Sequence, residues 1–290
     1  MVLGPRVTLN APSPSVEKLK AAMAEPCRVV GLGCNFFGDY PAVYGLEDIR
    51  SCAPLSSRPF IELVKNFPGI SLHDNDWQML VTDPVQAQPL LNLLNVRYLL
   101  ARPDAVVSDQ VDFWVTDRDD FVVVENPEAW PRAFFAGQIV TASSSQDFIR
   151  RLLASGQKPF IALAPEEILR QPGLERLETT PSTPVIPATH YELGVNATAF
   201  DIHAPSAGAV CLTEGQGNDF TVQINGQNGH VLAVNRAFKG VYLDRPGDYH
   251  IVFAYRPRYW MAACLVFWIS LFAALLMAGM GFCRECRKAI

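Results

Sequence analysis

Residues 237–276 read AFKGVYLDRPGDYHIVFAYRPRYWMAACLVFWISLFAALL and contain two kinds of sequence in direct succession. From residue 238 to residue 255 apolar and polar residues alternate, which is typical of half-buried β-strands, and DRPG predicts the turn of a β-hairpin between them. From Trp260 to Phe282 no residue is charged. As a helix this stretch would span about 34 Å, enough for a hydrocarbon core of about 30 Å. The sequence therefore predicts a β-domain that ends directly on a transmembrane helix.

Four residues at this junction are predicted to lie at the membrane interface: Arg256, Arg258, Tyr259 and Trp260. Basic and aromatic side chains of this kind are favoured at the level of the lipid head groups. Two basic residues precede the apolar stretch and three follow it, which favours a cytoplasmic C-terminus. The first twenty residues lack the apolar core of a signal peptide, which favours instead a tail-anchored protein with its bulk in the cytoplasm. Both orientations remain open.

The composition argues against one broad class of function. The chain has 290 residues, 24 Lys and Arg, 29 Asp and Glu and a net charge of −5, and it has no basic stripe with interleaved aromatic residues. We therefore expect no nucleic-acid partner. The mean hydropathy is +0.12, and much of its apolar excess lies in the C-terminal stretch.

The seven cysteines do not form a regular disulfide framework. One bridge among Cys27, Cys34 and Cys52 is open in an oxidising compartment. The pair Cys283 and Cys286 has the spacing of a metal-binding CxxC motif but lacks the second pair that such a site requires. No cofactor is expected.

The pattern of helices and strands predicts an α+β protein whose two folded parts differ in character. Helices are predicted at 15–24, with Ser15 as the N-cap, at 58–67 and at 145–156, among short apolar strands. The Pro- and Thr-rich segment 178–189 reads as a linker or an extended edge segment, and after it short strands alternate with turn signals such as Asn225-Gly226. The predicted parts are a mixed α/β domain (1–180), an antiparallel β-sandwich (181–258), a transmembrane helix (259–283) and a short basic tail (284–290).

Two motifs resemble ligand sites only in part. Gly31 and Gly33 follow a strand, but the third glycine of a dinucleotide-binding fingerprint is missing, so a tight turn is predicted. His73, Asp74 and Asp76 lie close together, and the two carboxylates would share one face of an extended segment. We interpret this cluster as a solvated turn, with a cation site as the alternative.

No convincing active site emerges from the remaining motifs. Glu47, Asp48 and Arg50 predict a local ion pair near the start of a helix. There is no GxSxG nucleophile elbow and no histidine spacing of a metalloprotease. We predict no catalytic residue, and enzymatic activity of the chain on its own is not expected.

An ordered series of segments resembles a known family. The series comprises RVVGLG with PAVYGLEDIRSCAPL, LLNLLNVRYLLA, VVVENPEAWPRAFFAGQIV, TPVIPATHYELGVNATA, VNRAFKGVYL with GDYHIVFAYRP, and the final apolar stretch. Together, over most of residues 28–282, they resemble the C-terminal part of YfhO-like proteins. These are bacterial membrane proteins with a GT-C glycosyltransferase-like architecture. The resemblance implies a membrane body of many helices, then an extracytoplasmic region of the cell envelope, then one helix that returns to the cytoplasm.

The chain departs from the family pattern at several points. The membrane body, which carries the family's catalytic acidic residue, has no counterpart here, so no catalytic residue can be transferred. Residues 214–227, EGQGNDFTVQINGQ, stand where the family often has a GYYPGW-like stretch before a VNGK-like turn. The aromatic residues and the lysine are absent, which predicts a lost glycan or lipid contact. Cys52 likewise stands in place of an aromatic residue.

The resemblance leads to a functional hypothesis with two alternatives. The chain is expected to be a membrane-anchored, non-catalytic extracytoplasmic module of the inner membrane. Its sandwich would resemble a carbohydrate-binding module and would bind or position a glycan, a lipid-linked sugar or a partner protein at the outer face of the membrane. The first alternative is a subunit or fragment of a glycosyltransferase for lipid-linked sugars, whose catalytic membrane body lies elsewhere. The second is a structural or assembly protein. Expected partners are the lipid bilayer and another membrane protein.

Overall fold

The structure is a computed structural model that describes residues 13–33, 40–50, 57–65, 67–73, 78–104, 114–180 and 184–288, with side chains to Met277. The helices are α1 (Pro14–Ala22), α2 (Tyr40–Val43), α3 (Arg58–Lys65), α4 (Pro84–Leu93), α5 (Ser145–Ala154), α6 (Pro165–Arg170), α7 (Leu174–Glu178) and α8 (Trp260–Lys288).

The strands before residue 180 are β1 (Arg28–Gly31), β2 (Glu47–Asp48), β3 (Ile70–His73), β4 (Gln78–Val81), β5 (Val96–Ala101), β6 (Trp114–Arg118), β7 (Val122–Glu125), β8 (Ala133–Ala136), β9 (Ile139–Thr141) and β10 (Ile161–Leu163). Those after it are β11 (Ile186–Pro187), β12 (Thr189–Leu193), β13 (Ala197–Ala204), β14 (Gly208–Gly215), β15 (Phe220–Ile224), β16 (Gln227–Gly229), β17 (Leu232–Val234), β18 (Phe238–Leu243) and β19 (Gly247–Tyr255).

The first sheet, here named the amino-terminal sheet, has the order β2-β1-β5-β7-β6. Strand β1 runs parallel to β2 and β5, whereas β7 is antiparallel to β5 and β6. The three inner strands β1, β5 and β7 are short, largely apolar runs because both faces are covered there. Helix α1 packs on one face through Val16 and Leu19, and α3 and α4 pack on the other.

The predicted N-cap of α1 is wrong by two residues. Ser13 caps the helix, because its Oγ accepts the Val16 N–H at 3.2 Å and Pro14 occupies the first helical turn. Ser15 instead lies inside the helix, where its hydroxyl donates to the Asp117 carboxylate at 2.5 Å. The Ser15 side chain, predicted as a cap, therefore connects α1 to β6 through this hydrogen bond.

The second sheet, here named the middle sheet, has the order β11-β8-β14-β18-β17-β10-β9. Strands β9 and β10 are parallel and are connected through α5, whose N-cap Ser144 accepts the Asp147 N–H at 3.1 Å. The other described pairs are antiparallel. Strands from both sides of residue 180 are hydrogen-bonded in this sheet. The division into domains at residue 180 stays a prediction.

The third sheet, here named the outer sheet, is antiparallel with the order β12-β13-β19-β15-β16. The predicted turn at Asn225-Gly226 is confirmed, since both residues have positive φ, 50° and 79°, and connect β15 to β16. This is the backbone that a two-residue hairpin turn demands, and Asn-Gly adopts it at low cost.

The predicted hairpin of residues 238–255 is wrong. Strand β18 pairs with β14 and β17 in the middle sheet, whereas β19 pairs with β13 and β15 in the outer sheet. The DRPG segment therefore carries the chain from one sheet to the other. Alternation predicted correctly that Val241 and Ile251 are buried, but the two residues belong to different sheets and contribute to one shared core from opposite sides.

One hydrophobic cluster lies between the middle and outer sheets. It contains Ala133, Phe135, Ala188, Phe200, Ile202, Ala204, Val210, Leu212, Val222, Val241, Leu243, Ile251 and Phe253. The opposite face of the middle sheet belongs to a larger cluster with the helices and the amino-terminal sheet. The predicted α+β class is confirmed: the chain has several sheets of mostly antiparallel strands and one C-terminal apolar helix.

Helix α8 begins five residues after the end of β19. Over Trp260–Met277 it is long and apolar enough to cross a bilayer, and none of this window is buried against the rest of the chain. A core helix of a soluble protein would be buried over most of its length. The helix is thus a candidate membrane anchor.

Candidate functional site

Two cavities lie at the end of the outer sheet from which α8 departs. The Tyr255 N–H donates to the Asn196 carbonyl at 2.8 Å, and the Arg256 N–H donates to the Asp219 carbonyl at 2.7 Å. The loops around Asn196 and Asp219 are therefore fixed beside the residues that lead into Trp260. Phe220 lines both cavities.

The first cavity, here named the aromatic cavity, has a volume of about 330 Å³. It is lined by Glu47, Arg132, residues 193–198, Glu214, Phe220, Lys239, Phe253 and Tyr255. Phe220 and Tyr255 are directly opposite each other on β15 and β19, and their ring centroids are 5.3 Å apart. Strand pairing thus places aromatic rings on the wall of the cavity.

Glu214 is the centre of a buried ionic network in the same cavity. Its carboxylate accepts from Arg132 at 2.9 Å and from the Thr198 hydroxyl at 3.0 Å, and it lies 3.1 Å from the Lys239 Nζ. Lys239 is 2% exposed and Arg132 is 6% exposed. Burial alone would raise the pKa of Glu214, but Lys239 and Arg132 hold it below its usual value. Glu214 is therefore ionised at neutral pH.

The network extends to β1 and β2. Arg132 also donates to Glu47 at 2.7 Å, and the Arg28 Nε lies 3.6 Å from the same carboxylate. Burial lowers the pKa of Arg28 to about 10, so it keeps its charge at neutral pH. Three cations thus face two carboxylates, an excess of one positive charge. An acidic or strongly polar ligand group would complement it.

The side chain of Lys239 also orients the aromatic wall. Its Nζ lies 3.6 Å from the ring centroid of Phe220 and 5.8 Å from that of Phe253. An ammonium over a ring face attracts the π-electrons, and the effect strengthens where water is excluded. Lys239 therefore contacts both the ionic network, through Glu214, and the aromatic wall, through Phe220.

The second cavity, here named the arginine cleft, has a volume of about 570 Å³ and lies on the other side of Phe220. Its lining consists of Glu167, Arg170, residues 216–218, residues 220–223, residues 228–231, Ala233, Arg256 and Arg258. Most of these side chains are polar, and three are arginines. The two cavities share a wall but differ in chemistry.

Two of the four residues predicted at the membrane interface line the arginine cleft. Arg256 and Arg258 contribute to it, and Arg258 lies 3.5 Å from the Asp219 carboxylate. Tyr259 and Trp260 are exposed at the start of α8. The Phe282 side chain lies outside the described residues. That these residues contact lipid stays a prediction.

Comparison with known proteins finds no match. No protein-family model matches the chain, and neither do the curated proteins or the solved structures. The resemblance to YfhO-like proteins therefore stays a prediction, and the site is interpreted from its own chemistry.

Residues 214–227, for which the sequence predicted a lost ligand contact, contribute to both cavities. Glu214 and Phe220 line the aromatic cavity, and residues 216–218 line the arginine cleft. Sequence reasoning missed Phe220, Lys239 and Arg132 as site residues. The only available signal was the isolated lysine in the apolar strand around residue 239, because a buried lysine requires a partner.

The other motifs have local structural roles where they are described. Asp48 and Arg50 form the predicted ion pair at 2.7 Å, on and just after β2 and not near a helix start. Gly33 has a φ of 61°, as a tight turn requires. Cys27 is a free, buried thiol whose burial raises its pKa to about 11. Cys34, Cys52, Asp74 and Asp76 lie outside the described residues. No cluster of three metal-ligating side chains occurs in the part of the chain that the structure describes.

Proposed function

We propose that the chain is a membrane-anchored, non-catalytic module that binds a sugar-containing ligand in the aromatic cavity, at the surface of the bilayer that α8 crosses. One observation carries the proposal. Tyr255 lines the cavity, and only five residues further along the chain Trp260 begins the apolar helix. A ligand in the cavity would lie next to the membrane.

The chemistry of the cavity suits a sugar. Phe220 and Tyr255 offer ring faces to the apolar C–H faces of a pyranose, while Thr198, Asn196 and Glu47 offer hydrogen-bonding groups to its hydroxyls. The volume of about 330 Å³ lies at the lower end of the ~300–1,000 Å³ range of ligand pockets. It therefore favours a small ligand, such as one sugar unit, over a long glycan.

Binding is tested with the full chain in detergent micelles and a panel of glycans and lipid-linked sugars. The variant Tyr255→Ala is expected to weaken binding about three- to tenfold, because one stacking face is lost. The matched control is Tyr249→Ala, which removes a tyrosine from the other end of β19. Undetectable binding across the panel, or equal binding by Tyr255→Ala and the parent chain, would contradict the proposal.

The same proposal includes three finer features that were predicted from the sequence: the β-sandwich, the side of the membrane on which the folded part lies, and the orientation of α8. The middle and outer sheets would form a β-sandwich like that of a carbohydrate-binding module, and the shared core between their faces supports this. The folded part would lie outside the cytoplasm, as in YfhO-like proteins, with α8 in the inner membrane and a cytoplasmic C-terminus. Alkaline phosphatase fused after residue 290 should then be inactive. Activity of that fusion would favour the tail-anchored orientation with a C-terminus outside the cytoplasm.

Membrane anchoring is tested separately by alkaline carbonate extraction. The full chain should remain with the membrane pellet, whereas a variant lacking residues 260–277 should be released. Release of the full chain would contradict the anchor. This readout depends on α8 alone and is independent of any ligand in the cavity.

The assembly alternative is supported by the free surface of α8. Its apolar window is unburied along its whole length, so another membrane protein has room to pack against it. Purification in mild detergent should then recover a stoichiometric membrane partner. A partner with many transmembrane helices and glycosyltransferase activity would favour the split-enzyme alternative.

A further inference from the structure

We propose that the arginine cleft binds the phosphate of a lipid head group from the bilayer around α8. The inference rests on the proposed membrane anchoring, but it does not depend on sugar binding in the aromatic cavity. The ligand class is a phosphate ester with a net negative charge, presented by a membrane lipid.

The position of the cleft is the first argument. Arg256 and Arg258 precede Trp260 by four and two residues. At no more than about 3.6 Å per residue, their Cα atoms lie within about 14 Å of the first residue of α8. The head-group layer adds roughly 5–8 Å on each side of the hydrocarbon core. With α8 in a bilayer, lipid phosphates would therefore be within reach of the long arginine side chains.

The charge of the cleft is the second argument. Arg170 pairs with Glu167 at 2.7 Å and Arg258 pairs with Asp219 at 3.5 Å. Within the described residues the Arg256 guanidinium has no hydrogen-bond or ion-pair partner. Three guanidinium groups thus meet two carboxylates, and the cleft carries an excess positive charge although the whole chain is negative.

The two existing ion pairs leave Arg170 and Arg258 able to donate further hydrogen bonds to a ligand. The Glu167 side chain is 10% exposed and also accepts the Ala233 N–H at 3.3 Å, so it is held in the wall of the cleft. The Arg170 and Arg258 side chains are 64% and 69% exposed. Each guanidinium group has five N–H donors, and its ion pair uses only some of them. A phosphate, which accepts bidentate hydrogen bonds from guanidinium groups, can therefore engage these arginines while their ion pairs remain.

Neutral polar side chains complete the lining. Amide groups of Gln216, Asn218, Gln223 and Asn228 surround the same space. Primary amides donate to phosphate oxygens and also accept from the hydroxyls of a glycerol head group. The cleft thus matches a polar anion and offers little apolar surface for an acyl chain. The acyl chains would remain in the bilayer beside α8.

The experiment measures lipid binding by the full chain in dodecyl maltoside micelles. Titration calorimetry compares dihexanoyl-phosphatidylglycerol, dihexanoyl-phosphatidylcholine and inorganic phosphate. We expect phosphatidylglycerol to bind most tightly, because its phosphate is not neutralised by a choline cation. The double variant Arg170→Gln/Arg256→Gln should lower its affinity about tenfold, because two positive charges that face the phosphate are lost.

The matched control is Arg245→Gln, which removes an exposed arginine beyond the opposite end of β19 and should leave the affinity unchanged. Thermal unfolding of every variant verifies that the chains are folded, and Arg256→Lys should retain part of the affinity. Equal binding by the double variant, or an equal loss in Arg245→Gln, would overturn the proposal. So would inorganic phosphate binding as tightly as the lipid, because the cleft would then be a site for free phosphate.

Failure of this proposal is distinguishable from failure of the proposed function. Carbonate extraction reports the anchor, and Tyr255→Ala reports the aromatic cavity. Neither measurement involves Arg170 or Arg256.

Discussion

The middle and outer sheets share one core but differ in what covers their other faces. In the middle sheet, Phe134 and Phe135 are adjacent on β8 and are both buried, each in a different cluster. In the outer sheet one face packs on the shared core, and the other is largely exposed within the described residues. The other face presents polar side chains, among them Asp201, whose carboxylate lies 2.7 Å from His250 and 3.1 Å from His190.

This difference explains the two sequence patterns. Strand β14, GAVCLTEG, is nearly continuous in apolar and small residues because its first six residues are all buried, on both faces of the sheet. Strand β19, GDYHIVFAY, alternates because every second side chain faces solvent. The difference predicts that substitutions in the middle sheet cost more free energy of unfolding than substitutions on the exposed face of the outer sheet.

The largest effect is expected for Phe135→Ala in the middle sheet. Its ring is fully buried and packs over Gly208, where a Cβ atom would overlap the ring. The substitution leaves a cavity and should lower the free energy of unfolding by about 3–5 kcal/mol. Urea denaturation of the full chain in micelles measures this value. A loss below about 1 kcal/mol would show that the middle sheet is not tightly packed on the face that it shares with the outer sheet.

A similar but smaller loss is expected for Glu214→Gln. The substitution leaves the buried Lys239 without a carboxylate partner and leaves Arg132 with Glu47 alone, which should cost about 3 kcal/mol. The control is Asp219→Asn, which removes the carboxylate of the exposed pair with Arg258 and should cost less than about 0.5 kcal/mol. Equal effects of the two substitutions would contradict the network as a buried feature.

The same carboxylate predicts a pH dependence. The folded-state pKa of Glu214 is lowered, so its contribution to stability is present above the unfolded value of about 4.3. This contribution is lost as the pH falls through the folded-state value. Stability curves between neutral pH and about pH 3 should therefore fall less steeply for Glu214→Gln than for the parent chain. Parallel curves would indicate that other carboxylates dominate the acid transition.

A loss of about 1 kcal/mol is expected for Gly226→Ala in the outer sheet. Gly226 has a φ of 79°, where a Cβ atom is unfavourable, although no neighbouring atom would contact it. The companion variant in the same turn is Asn225→Gly, since glycine tolerates a positive φ. It removes the 2.7 Å hydrogen bond that the His250 N–H donates to the Asn225 side chain. A loss above about 3 kcal/mol for Gly226→Ala would imply that this turn is packed.

The smallest effect is expected for Thr221→Ala on the exposed face of the outer sheet. Its hydroxyl donates to the Ala254 carbonyl at 3.3 Å in a solvent-exposed position. The free energy of unfolding should change by no more than about 0.5 kcal/mol. A larger loss would show that another surface covers this face, and the contrast between the sheets would then disappear.

The sequence predicted local elements well, because periodicity and turn chemistry are local properties. Helix α5, strand β19 and the Asn225-Gly226 turn lie close to where they were predicted. The sheet to which each strand belongs was not predictable in the same way. Alternation in residues 238–255 identifies buried faces, and two strands that face each other across a core give the same pattern as two paired strands.

The candidate site depends on contacts between residues that are distant in sequence. Arg132 reaches Glu214 across the segment predicted to be a linker, and Phe220 meets Tyr255 through strand pairing. Such contacts follow from topology, which a single sequence does not specify. Arg256 and Arg258 were identified because they adjoin the apolar helix in the chain itself. Arg170, which lines the same cleft, carries no such signal.

The short connection between β19 and α8 has a mechanical consequence. Strand β19 lies inside the outer sheet, hydrogen-bonded to β13 on one side and to β15 on the other. A force applied to α8 would enter the fold through β19, and the hydrogen bonds of both ladders would resist it together. The candidate anchor is thus attached to a central strand, and the outer sheet would bear such a force before any other part of the fold.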